Sequence, residues 1–84
     1  MNKLDIFFII NDGEVLAVLE HIRGDTYSCY ARIGQHGECS LGYIQESETA
    51  TEQQYESLLQ ELYSIYHDTI LLVDQSLHES YKKV

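Results

Sequence analysis

The sequence predicts an α+β fold, in which a small, mainly antiparallel sheet of four to five strands carries one amphipathic helix packed on one face. Three observations lead there. Short β-branched and aromatic runs are separated by turn-forming segments, Asn11-Asp12-Gly13, Arg23-Gly24-Asp25 and Gly34-Gln35-His36-Gly37. A single apolar stripe at helical period lies between residues 51 and 66, and a last β-branched run, Thr69 to Val73, follows it.

Asp5 to Ile10 reads as a strand entering a tight turn, where the Asp-Gly pair supplies the positive φ such turns need. Val15 to Ile22 alternates weakly, with Val15, Ala17, Leu19 and His21 on one face, and completes a first hairpin. Thr26 to Ile33 alternates more cleanly. Tyr27, Cys29, Ala31 and Ile33 form its apolar face, which leaves Thr26, Ser28, Tyr30 and Arg32 on the polar side. Residues 38–44 divide between a returning strand and a helical turn begun by Ser40, with the pattern leaning to the strand.

Tyr55, Leu58, Leu59, Leu62, Tyr63 and Tyr66 recur at i, i+3, i+4, i+7, i+8 and i+11, which is one face of an α-helix. Thr51 with Gln54, or Thr49 with Glu52, offers a capping box that begins it, so the helix is expected over 51–66. Thr69 to Val73 then supplies the closing strand. Residues 75–84 read as a frayed or weakly helical tail of a single domain spanning 1–84.

Charge is distributed unevenly. Fourteen acids face five bases, a formal net charge of −9, although charged residues make up an ordinary 23% of the chain. Residues 1–32 carry five acids and three bases, whereas residues 33–81 carry nine acids and no Lys or Arg. Such a surface repels phosphate backbones and anionic membranes, so direct binding of nucleic acid or a membrane is not expected and a charged partner should be basic. The longest apolar run, Ile6 to Ile10, is far shorter than the ~20 residues that span a bilayer. With Asp5 interrupting the N-terminus and no small-residue processing site after it, a cytoplasmic location is expected.

If Gly34 to Gly37 is the hairpin turn, Ile33 faces Glu38 and Arg32 faces Cys39. Cys29 and Cys39 are then not opposite one another and are expected as reduced thiols. His36 and Cys39, three residues apart, are the one pair with metal-ligand spacing and the one thiol–imidazole pair available for nucleophilic chemistry. Acidic surroundings, with Glu38 adjacent, disfavour a thiolate there, and no cofactor is implied. Tyrosine is abundant, at seven of 84 residues, and Tyr30, Tyr43 and Tyr81 have no evident core position.

The segment Tyr30-Ala31-Arg32-Ile33-Gly34-Gln35-His36, followed by Ala50-Thr51-Glu52-Gln53-Gln54-Tyr55 with Leu58, Glu61 and Leu62 beyond, resembles a family of small uncharacterised bacterial proteins. In that family a Gly-Gln-His turn precedes a capped amphipathic helix. The resemblance implies a recurring fold and an exposed Gln35-His36 turn, and no activity.

The leading expectation is a non-enzymatic binding or regulatory protein that docks on a basic patch of another protein, such as one that normally holds nucleic acid. Glu46, Glu48, Glu52 and Glu56 are its expected acidic stripe, with Tyr30, Gln35 and His36 as further partner-binding residues. A second reading is a small metal- or ligand-binding domain around His36 and Cys39. A third is a homo-oligomeric structural domain, such as a homodimer, paired through an uncovered strand edge or apolar face.

Overall fold

The computed structural model describes residues 2–32 and 34–83. Along the chain come β1 (Asn2–Asn11), β2 (Glu14–Arg23), β3 (Thr26–Ala31), β4 (Gln35–Ser40), α1 (Leu41–Glu46), β5 (Glu48–Thr49), α2 (Glu52–Ile65), β6 (Thr69–Val73) and α3 (Leu77–Lys82). The architecture is α+β, as the sequence predicts. Its sheet runs β4-β3-β2-β1-β5, and β6 joins β1 in parallel, so β1 is flanked on both sides.

That central place explains the unbroken run Ile6-Phe7-Phe8-Ile9. A strand covered on both faces has no need of polar alternation. Ile6 and Phe8 turn to one face and pack with Ala17, Leu19, Tyr30, Leu58 and Leu62 beneath α2. Phe7 and Ile9 turn to the other and pack with Val18 and Ile44 beneath α1 and α3, where Leu77 and Tyr81 add their side chains. Each fully buried side chain of this size contributes about 1.5–3 kcal/mol relative to exposure.

The first hairpin closes as its sequence requires, with Asp12 at φ 53° and Gly13 at φ 80°. The second hairpin corrects the expected register. β3 ends at Ala31 and β4 begins at Gln35, so Gln35-His36-Gly37 lies within a strand and not in a turn. Gly34 takes the positive φ of 71°, while Gly37 has an ordinary strand backbone. Ile33, expected on the apolar face of β3, lies outside the described residues.

With the turn moved toward the N-terminus, Cys39 pairs with Tyr27 and Cys29 with Gly37. The two cysteines become diagonal neighbours on the α1 face, with Cα atoms 6.3 Å apart, and form a disulfide. The expectation of reduced thiols is therefore corrected. His36, an odd number of residues from Cys39, falls on the opposite face of the sheet, so the pair cannot converge on a metal or act as thiol and base.

Residues 38–44 take both forms in turn. β4 continues to Ser40, whose side chain then caps α1 by accepting from the Tyr43 backbone N–H. Of the two capping boxes offered for α2, Thr51 with Gln54 is the one formed. Tyr63 of the predicted stripe is exposed, because Leu58 and Leu62 already fill the contact with the sheet.

Of the two forms expected for the C-terminal segment, frayed or weakly helical, the helical one is taken, as α3, and it is packed rather than frayed. His78, fully buried, bonds through Nε2 to the Ile44 carbonyl (2.7 Å) and through Nδ1 to the Thr49 hydroxyl (2.6 Å), and its ring stacks on Phe7. Because a carbonyl only accepts, Nε2 carries a proton; in the neutral imidazole Nδ1 then accepts from the Thr49 hydroxyl. Gln75 splices the sheet between β6 and β5. Its Oε1 accepts from the Phe8 N–H (2.7 Å), and its Nε2 donates to the carbonyls of Phe8 (2.9 Å) and Ala50 (2.7 Å). A side-chain amide here supplies the pairing that a strand residue would otherwise make.

Candidate functional site

The Gly34-Gln35-His36 segment is anchored to α2 through a polar cluster. Tyr30, expected at the surface, is fully buried beneath this segment, a correction that follows from the residues around it. Its hydroxyl donates to Glu61 of α2 and accepts from the Gly34 N–H at 2.8 Å. A tyrosine on the polar side of a strand is thus drawn inward because α2 covers that side and brings a carboxylate to satisfy the hydroxyl. His36 sets its ring edge-on to Tyr30, 4.7 Å between centroids, and its Nε2 lies 3.2 Å from the Tyr66 hydroxyl. Tyr30 acts as a post for the segment, and cannot itself touch a partner. His36 and Gln35 are exposed, but as residues of β4 and not of a turn.

The four expected acids are all exposed, and they sit on three elements. Glu46 ends α1, Glu48 lies opposite Ile10 in β5, and Glu52 and Glu56 occupy the first turns of α2. Since α1 and α2 cover opposite faces of the sheet, these carboxylates wrap around its β5 edge and do not line one face. Sequence reasoning missed Asp12 and Glu14, which the first hairpin carries to the same end of the molecule. Asp12, Glu14 and Glu46 all act on the Tyr43 hydroxyl; burial, and then these carboxylates, hold it above the usual tyrosine range.

Two open cavities flank this end of the sheet. One, of about 510 Å³ on the α1 face, has a floor of Leu16, Ala31 and the Cys29–Cys39 disulfide, with Tyr43 and Glu14 at its side. The other, of about 500 Å³ on the α2 face, includes Asp12 and Glu14 but also Arg32 and Gln54. No Lys or Arg lines the first cavity. Its surroundings are negative, so its chemistry suits a cation with an apolar stem. Among the described residues no cluster of three or more His, Cys, Asp or Glu side chains is arranged to hold a metal.

Tyrosine protonation is tied to the fold at several points. Burial first, and then the Glu61 hydrogen bond, raises the Tyr30 hydroxyl; burial likewise raises Tyr55, beside Glu52, and Tyr81, beside Tyr27. A raised folded-state value favours the neutral hydroxyl in the native state. The corresponding stability is complete below the unfolded value of ~10 and is lost as pH rises through the folded value. Denaturant midpoints should therefore hold up to about pH 9 and fall from about pH 10 upward, and an unchanged midpoint above about pH 10 would contradict the tyrosine environments described.

No protein-family model, curated protein or solved structure matches the chain. No helix among the described residues is long and apolar enough to cross a membrane.

Proposed function

We propose that the protein is a non-enzymatic binding or regulatory protein that docks its acidic surface on a basic surface of another protein. The class of partner includes proteins whose basic surface normally holds nucleic acid. The observation that carries the proposal is the run from residue 33 to residue 81, with nine acids and no Lys or Arg. The exposure of Glu46, Glu48, Glu52 and Glu56 supports it, as does the addition of Asp12 and Glu14 around Tyr43. Opposite charge across an interface speeds encounter and rejects partners of the wrong sign. The same charge keeps nucleic acid and anionic membranes away. The expected Gly-Gln-His family kinship belongs to this proposal too, with His36 and Gln35 at the rim of the surface. The cytoplasmic location expected from the sequence belongs to this proposal as well.

Titration calorimetry with a short capped peptide alternating arginine and threonine tests the reading. Neutralising the four glutamates together (E46Q/E48Q/E52Q/E56Q) should weaken binding roughly tenfold or more. A control with the same charge change elsewhere (D5N/E20Q/D68N/E79Q) should lose much less. Equal losses in the two variants would reduce the effect to net charge and defeat the proposal.

A further inference from the structure

The sheet ends at β4, which pairs with β3 and, among the described residues, with no other strand. Its six residues include no Lys and no Pro, two of the devices that commonly blunt an open edge. The backbone groups on its outer side can accept a further strand. Along β4, Gln35, Gly37 and Cys39 belong to the α1 face, and His36, Glu38 and Ser40 to the other.

Gly37 sits at the centre of this edge without a conformational reason. Its backbone is not left-handed, and a Cβ built there would meet nothing within 4 Å. A glycine in a strand interior costs stability and frequently marks a place where another group comes close. Here the missing side chain opens onto the cavity of about 510 Å³ on the α1 face, beside the disulfide. The floor is apolar, through Leu16 and Ala31, while Glu14 lies at the side and Tyr43 presents a ring held among Asp12, Glu14 and Glu46.

We infer that β4 is the strand on which an extended basic segment of the partner pairs, placing one arginine side chain in the cavity beside Gly37. The inference rests on the docking reading above and assigns it a place. Main-chain bonds along an edge give affinity, and a pocket under alternate side chains gives specificity. Arginine fits better than lysine, since its stem covers apolar surface and its planar, weakly hydrated head packs on an aromatic ring beside a carboxylate. A second copy of the chain is disfavoured on this edge, because both copies carry −9.

The test is an NMR titration of the intact protein with the capped arginine–threonine peptide, following the backbone amides. Shifts should concentrate on Gln35 to Ser40, Leu16 and Tyr43. Replacing arginine by citrulline, or N-methylating alternate peptide residues, should each weaken binding roughly tenfold or more. Gly37→Leu, which fills the cavity and adds a better strand former, should do the same while leaving the dispersed spectrum of a folded protein. The two altered peptides give the same reading on the unaltered protein, whatever that variant does. If the peptide binds but leaves β4 unshifted, or ignores Gly37→Leu and N-methylation, this inference is overturned and the docking reading stands. Shifts at the β4 amides with protein concentration alone would assign the edge to a second copy and also overturn it. No binding at low salt overturns both.

Discussion

Phe8→Ala is expected to lower the free energy of unfolding by about 3–5 kcal/mol, a large part of what a domain of this size possesses. Phe8 is fully buried, and its ring lies 4.3 Å from that of Tyr55 in a nearly parallel stack, the closest ring pair between the sheet and α2. Its backbone is fixed at the same time by Gln75 and by the Ala50 N–H, so the strand cannot shift to fill the hole. Urea unfolding followed by circular dichroism measures the effect. A loss under about 1 kcal/mol would mean that α2 does not pack on Phe8 as described.

Removing the Cys29–Cys39 bond should cost about 2–3 kcal/mol. The estimate follows from a sequence separation of 10 and the chain entropy a closed loop of that size takes from the unfolded state. The comparison is between the oxidised protein and C29S/C39S in parallel unfolding experiments. Hydrogen exchange should rise chiefly in β4, which depends on β3 alone for pairing. Equal stabilities would show that the bond constrains nothing the fold does not already hold.

Much of the fold was legible because local signals agreed with tertiary context. The Asp12-Gly13 turn, the Thr51–Gln54 box and the β-branched run Thr69 to Val73 each carry a local physical reason that packing then reinforces. The second hairpin misled because two glycines were available and only Gly34 takes the left-handed backbone; choosing Gly37 as the end of the turn displaced the register and hid the disulfide. Tyr30 misled for a different reason. Strand alternation labels faces apolar or polar, but it does not foresee that α2 covers the polar-looking face and brings Glu61 to the hydroxyl. The C-terminal segment shows no apolar stripe strong enough to announce α3, whose place depends on His78 bonding to Ile44 and Thr49, residues distant in sequence.

The candidate site was legible in its charge and not in its shape. A base-free stretch is visible in the chain, whereas its meeting with Asp12 and Glu14 at one end of the sheet depends on the first hairpin. Likewise, nothing local distinguishes Gly37 as a gap in a strand from a glycine that makes a turn. That distinction needs the pairing of Cys29 with Gly37 across the hairpin.

The central claim is that opposite charge drives docking, and its most direct measurement is the affinity for the arginine–threonine peptide as a function of salt. Between about 0.05 M and about 0.5 M the screening length shortens several-fold, and binding should weaken roughly tenfold or more. An affinity that holds constant across that range would contradict the claim.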